Sequence, residues 1–311
     1  MSNIFQKIKK GILHPSIIYD LYITKHAEKY DDEVYLRKKF KIRFGVEPNL
    51  NDPTTFNEKL TWLKLHDHNP LYHTLVDKYK VKEFVQGVIG AEYVVPSLGV
   101  WDNFDEIDWA QLPQQFVIKT THDSSGAIIV RDKSKLDLAA TKEHIEVSLN
   151  RSWFYPLREW VYKDVSRRII ADTFLDDNSH DGSGISLLDY KFWCFNGEPR
   201  AMYITVKDKV VFENFYDRNF KPLPINHGFE RHQPEFAKPK GFETMWDLAG
   251  KLSKATGAPF VRVDFFNVAG KIYFGEFTFY DWGGMKPFKD NSQDVELGSW
   301  LDLSNVKKQV N

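Results

Sequence analysis

Apolar residues recur at helical spacing early in the chain and at two-residue spacing later. Thr55-Phe56-Asn57-Glu58 has the spacing of a capping box and opens an apolar pattern at Phe56, Leu60 and Leu63, so a helix is expected to start there. A second helical pattern runs through Leu71, Leu75, Tyr79 and Val85. Short strands are expected around Val94-Val95 and at Phe116-Val117-Ile118, and helices over residues 138–149 and 242–255. Two hairpins are better marked. Residues 189–195 and 200–206 flank Asn196-Gly197, a strong two-residue turn signal. Residues 261–266 and 271–279 flank a turn containing Ala269-Gly270. Regular alternation there puts Arg262, Asp264 and Phe266 on one face, and Ile272, Phe274, Glu276 and Thr278 together on another.

Helices come first, then antiparallel strands mixed with helices, the order of an α+β protein rather than a regular βαβ one. Residues 178–186 read as a loop, and no internal repeat is present. The balance of 42 Lys+Arg against 43 Asp+Glu gives no basic excess, so nucleic acid is not an expected partner. Aromatic residues reach 15%, enough for a core and the wall of a pocket. Cys194 is the single cysteine, which rules out an intramolecular disulfide and favours a reducing, cytoplasmic setting. No apolar run approaches bilayer length. Lys7-Ile8-Lys9-Lys10 is followed by a stretch too short and broken for a signal peptide. Residues 4–22 alternate basic and apolar side chains. They read either as a solvated first helix or as a peripheral contact with the inner membrane face.

Two constellations bear chemistry. In the first, the strand Phe116-Val117-Ile118 delivers Lys119 into a small polar loop ending in Ser124-Ser125-Gly126. The N–H groups of such a loop can fold over phosphate oxygens and the lysine adds a point charge. An ordinary hairpin turn with a surface lysine is the competing reading. In the second, Asp264 and Glu276 lie symmetrically about Gly270, which makes them cross-strand neighbours if the turn is centred there. Opposed like charges need neutralising. A divalent cation with oxygen ligands would do it, and so would Arg262 on the same face.

Val261-Arg262-Val263-Asp264-Phe265-Phe266 and Gly270 to Thr278 resemble the D-alanine–D-alanine ligase branch of the ATP-grasp superfamily. A closer resemblance, over roughly residues 35–300, is to the TupA-like (teichuronopeptide-biosynthesis-like) ATP-grasp family of bacterial surface-polysaccharide pathways. It is carried by Phe56-Asn57-Glu58-Lys59-Leu60-x-Trp62, Asp77-Lys78-Tyr79, Asp189-Tyr190-Lys191-Phe192, and Phe277-Thr278-Phe279-Tyr280 with Gly283-Gly284. The resemblance implies an ATP-grasp fold, two α/β subdomains gripping ATP, behind an N-terminal helical extension. It divides the chain into a helical region at 1–110, a small subdomain at 111–175 and a larger one at 176–311.

The resemblance also implies roles. Lys78 and Lys119 would hold ATP phosphates, with Lys119 also catalytic, and Ser124, Ser125 and Gly126 would cover them. The hinge at Asp172 and the backbone from Thr173 to Leu175 would read adenine, and Asp189 would bind ribose. Asp264 and Glu276 would hold Mg2+, with Thr278 completing the site where the family usually has an amide. Arg262 would stabilise the oxyanion formed when an amine attacks an acyl phosphate. Lys191 is a further phosphate or substrate candidate. Asp172 stands where a glutamate is more usual, and Ala127 where further glycine is expected.

The implied reaction is an ADP-forming carboxylate–amine ligation that joins an amino acid to a uronic acid of a surface glycan or its lipid-linked precursor. The rival is a glycosyltransferase of capsular or O-antigen pathways. The absence of any Asp-x-Asp weighs against the metal-dependent kind. Lys163, Arg167 and Arg168 form a basic cluster that reads as a solvated face or a docking patch for an acidic glycan, and Lys286 either is a plain surface lysine or falls where related ligases receive their second substrate. His66, His68 and His73 lack metal-ligand spacing, and Cys194 reads as packing.

Overall fold

A computed structural model describes residues 15–124, 126–176, 187–207 and 211–306. Ser125, the basic stretch Lys7–Lys10 and the loop at 178–186 lie outside these residues.

Two antiparallel sheets organise the chain. The smaller has the order β1-β4-β2-β3, built from Ser97–Trp101 (β1), Phe116–Thr120 (β2), Ile128–Val130 (β3) and Ile169–Thr173 (β4). Its first strand comes from the region that the sequence reading leaves with the N-terminal helices, so the smaller unit begins well before residue 111. The strand expected at Val94-Val95 lies a few residues later, after a 3-10 turn over Ala91–Tyr93. Helix Leu138–Leu149 covers this sheet, with Ile145 packed among Phe116, Ile118 and Ile169.

The larger sheet has the order β10-β9-β5-β6-β7-β8, with β5 Asp189–Phe195, β6 Glu198–Lys207, β7 Val211–Tyr216, β8 Pro222–Leu223, β9 Phe260–Val268 and β10 Lys271–Thr278. Its two faces are covered differently, and that difference makes the site. On one face, Phe192 packs against Phe265 and against Phe242 and Trp246 of helix Phe242–Thr256. On the other, Trp193, Phe195 and Phe260 meet Phe56 at the start of helix Phe56–His66. That helix covers the sheet only at the Phe195 end. Farther along the same face, the strands carry Lys191, Tyr203, Asp264 and Arg262 into a cleft facing the smaller sheet.

The capping box is present. Thr55 accepts from the Glu58 amide, and the Glu58 carboxylate accepts from the amides of Thr55, Thr54 and Asn49. The single helical pattern expected through Leu71 and Val85 is two helices, Leu71–Val76 and Val81–Ile89. Asp77 separates them because its carboxylate accepts from the amides of Tyr79 and Lys80, a side chain competing with the helical ladder. The first helix among the described residues, Pro15–Lys25, leaves Ile18, Tyr19, Leu21 and Tyr22 exposed. Buried Arg158 ties this region to the body through Asp32 (2.5 Å) and the Ala27 carbonyl (2.6 Å). Among the described residues, no helix is long and apolar enough to cross a membrane.

Candidate active site

The cleft between the two sheets encloses about 560 Å3. Strand register explains what lines it. Lys191 of β5 is paired with Tyr203 of β6 on one side and Asp264 of β9 on the other, so phenol, ammonium and carboxylate form a row across three strands. Lys191 Nζ donates to Asp264 at 3.0 Å and also contacts Asp189, which sits two residues before it on the same face.

Glu276 joins the row by an irregularity. In a regular hairpin closed by Ala269-Gly270, Glu276 would face Val263 and point away from Asp264. The register instead shifts between Phe274 and Phe277. Ile272 and Phe274 stay on the core side, while Glu276 and Thr278 turn toward Arg262 and Asp264. The expectation that these four β10 residues share a face is therefore corrected by a β-bulge at Gly275-Glu276. Glycine suits the bulge, because a Cβ on residue 275 would crowd the Asp264 carbonyl at 3.1 Å.

Arg262 is the hub. Its Nε and Nη2 donate to the two oxygens of Asp264, both at 2.7 Å. Nη1 reaches Asp281 (2.6 Å) and the Tyr203 hydroxyl (3.2 Å), and Nη2 also reaches Glu276 (3.2 Å). Each of the five guanidinium N–H groups has a partner in this arrangement. The neutraliser that the sequence offered as an alternative to a metal is thus in place. An oxyanion could be met only if one of these contacts exchanged. Burial works against the Asp264 charge, but Arg262 and Lys191 outweigh it and hold the carboxyl below its ordinary range. Burial would likewise lower Lys191, yet Asp189 and Asp264 raise it above an ordinary lysine.

The opposite wall comes from the smaller sheet. Lys119 ends β2 and points its ammonium at Asp172 (3.1 Å), which also holds Lys82 (2.6 Å) and Ser97. Asp172 is buried in this cluster and does not line the cleft. Thr173 donates to the Pro96 carbonyl, and neither it nor Leu175 is among the lining residues. The three expected hinge residues therefore sit beside the cleft rather than in its wall. Lys78 does line it, with its ammonium on the Asp123 carbonyl and its pKa lowered by burial. Ser124 is exposed at the rim. Gly126 is buried, and a Cβ there would fall 2.8 Å from Asp123 Oδ2 and 3.0 Å from Ser148 Oγ, so only glycine leaves room for the Asp123–Ser148 hydrogen bond.

Among the described residues, Asp189 Oδ1 and Thr205 Oγ1 are buried on the cleft wall with no hydrogen-bond partner. Such atoms are costly unless a ligand meets them. Asp189 is an acceptor for a hydroxyl, with its pKa raised by burial.

Other candidates resolve separately. His68 stacks flat on Trp160, and His73 donates to the Val161 carbonyl. Cys194 is buried, which pushes its thiol pKa up. Arg168 turns to Asp77, Arg167 caps the Leu149 carbonyl, and Lys163 lies over Phe154, so they do not form one patch. Lys286 lies over Phe229 and Trp282 at the cleft mouth. Several site residues escape sequence reasoning: Lys82, Tyr203, Asp281 and Glu159. Tyr203 carried a signal, because it alternates with Thr205 on β6; the others come from loops and a helix whose approach is tertiary.

Among solved structures, the chain is similar to the ATP-grasp ligase PsnB (9% identity, 75% of this chain and 62% of that one, TM-score 0.40). It is also similar to the D-alanine–D-alanine ligase of Helicobacter pylori (15%, 78% and 62%, TM-score 0.37). A third is the L-amino acid ligase of Bacillus licheniformis (13%, 81% and 58%, TM-score 0.46). The chain thus spans less than two thirds of the length of each. No curated protein matches it. The family model described as TupA-like ATP-grasp matches residues 58–302, well over half of the chain and inclusive of both walls of the cleft. The chain belongs to the TupA-like ATP-grasp family.

Proposed function

We propose that the protein is an ATP-dependent carboxylate–amine ligase that works through an acyl phosphate. The observation that carries this reading is the meeting, in one cleft, of lysines from both sheets with the Asp264–Glu276 pair. Lys78, Lys119 and Lys191 supply positive charge for a triphosphate, and Ser124 and Gly126 line the same cleft. Asp189, with an unmet acceptor, suits a ribose hydroxyl.

Asp264, Glu276 and the Thr278 hydroxyl would hold a Mg2+ ion once Asp264 gave up an oxygen that Arg262 or Lys191 now holds, with phosphate oxygens and water as further ligands. Bound there, the ion would neutralise charge on the transferred phosphoryl group. Arg262 would balance the same carboxylates and, on exchanging its Glu276 contact, present one N–H to a developing oxyanion.

The substrates proposed are a hexuronic acid of a bacterial surface polysaccharide, or its lipid-linked precursor, and an amino acid. The family and the lysine at the cleft mouth support this reading. The exposed apolar side chains of helix Pro15–Lys25 support a peripheral contact with the inner membrane face, where repeat units are assembled. Deleting the gene in its host and analysing the glycan tests the substrate. Loss of amino-acid decoration with every sugar retained is expected; full decoration, or a missing sugar, contradicts the proposal.

A further inference from the structure

The cleft is lined by rings as well as lysines. Trp153, Tyr162, Tyr280 and Trp282 belong to its wall with Glu159, which lies within electrostatic reach of Tyr162 and Tyr280. Among the described residues, the Glu159 side chain has no hydrogen bond and no ion pair within 4 Å. The cations nearest to it electrostatically are engaged elsewhere. Lys64 donates to the carbonyls of Leu157 (2.9 Å) and Gly283 (2.5 Å), and Arg262 is held by Asp264 and Asp281. Gly283 lies beside the carboxylate, and glycine is required there by Leu157 and by the backbone. A Cβ there would lie 2.4 Å from Leu157 Cδ1 and 3.4 Å from Glu159 Oε1, in a left-handed backbone at φ +63°.

A carboxylate without a partner among aromatic rings is the recognition chemistry of an ammonium group. The charge pairs with the cation, and the rings hold it through their faces. We infer that Glu159 and the surrounding rings form the subsite for the ammonium group of the acceptor amine. This inference rests on the ligase reading for the identity of its occupant. The position suits the reaction, because Glu159 lies within electrostatic reach of Arg262, beside which the acyl carbon would be attacked. In that step the ammonium gives one proton to Glu159 and the freed lone pair forms the C–N bond. The C–O bond to phosphate breaks, phosphate leaves with its electron pair, and the second nitrogen proton goes to the phosphate.

The environment suits this role. Burial pushes the Glu159 carboxyl up, against the opposing pull of Lys64 and Arg262 and with Asp281 adding to the rise. Tyr162 and Tyr280, within its electrostatic reach, are neutral phenols, both held well above their ordinary range by burial.

The test uses the full chain at alkaline pH, which favours the ionised carboxylate, and N-methylpyridinium as a cationic quencher of tryptophan fluorescence. Acrylamide is the neutral control. Wild type should show a saturable quenching component with the cation. Glu159→Gln should weaken it on the order of tenfold, with acrylamide quenching equal in both. Trp282→Ala, at an exposed position, should weaken it as well. Equal quenching by the cation in wild type and Glu159→Gln, or no saturable component at all, overturns the subsite. This readout needs no turnover, so the subsite and the ligase reading can fail separately.

Discussion

Arg262 grips Asp264 through two parallel N–H···O contacts of 2.7 Å, although the residues are only two positions apart on one strand. The pair is buried, and the guanidinium goes on to Glu276 and Asp281. The two carboxylates of the symmetric pair are therefore not equivalent. Asp264 is buried with both oxygens committed, whereas the Glu276 side chain is 35% exposed and touches Arg262 at 3.2 Å.

Asp264→Asn and Glu276→Gln should both abolish turnover, but only the first should destabilise the fold markedly. Breaking a buried pair leaves an uncompensated charge and costs about 3–5 kcal/mol, whereas an exposed contact is worth about 0–1 kcal/mol. Thermal melts of the two variants separate the cases. Equal melting temperatures would show that Asp264 does not anchor Arg262.

Lys119→Ala should weaken ATP more than adenosine, because the lost charge faces phosphate. The fold should hold, since Lys82 remains on Asp172 at 2.6 Å. Calorimetry with both ligands checks this, and an equal loss for the two would place Lys119 away from the phosphates.

The pKa of Lys78 lies below the ordinary lysine value because it is buried, with Glu276 and Asp123 pulling the other way. In alkaline solution the free protein therefore begins to lose this ammonium sooner than an ordinary lysine would. A bound triphosphate favours the charged form, so ATP binding should take up protons there and its affinity should fall as pH rises. Titrations in buffers of different ionisation enthalpy measure the uptake. Proton release, or an alkaline fall undiminished in Lys78→Arg, would contradict it.

Gly298 of helix Asn291–Trp300 lies against the chain just before the capping box. A Cβ there would meet the Thr54 carbonyl at 2.1 Å and the Phe56 amide at 2.9 Å. Gly298→Ala should cost about 1–3 kcal/mol, as overpacking does. Denaturant unfolding measures it, and a variant as stable as wild type would show that the two segments separate easily.

Much of this arrangement was legible in the residues because it depends on local rules. The Thr55–Glu58 box, the Asn196-Gly197 turn and helix Leu138–Leu149 follow from caps, turn chemistry and periodicity. The pairing of Asp264 with Glu276 was legible for a less direct reason. Their symmetry about Gly270 works only because the bulge adds one residue to β10, a device that regular alternation misses and that Gly275 alone hints at. The Asp77 break was hidden because apolar spacing continues across it. The cluster of Lys82 and Lys119 on Asp172 joins a helix to the middle of the smaller sheet, a meeting no local pattern encodes.

The most direct test of the ligase account is nucleotide release by the purified protein given ATP, Mg2+, D-glucuronate or D-galacturonate, and each of the common amino acids in turn. The account predicts ADP and phosphate in equal amounts, formed only when carboxylate and amine are both present and matched by the amide product. AMP with pyrophosphate, or no nucleotide release with any pair, would contradict it.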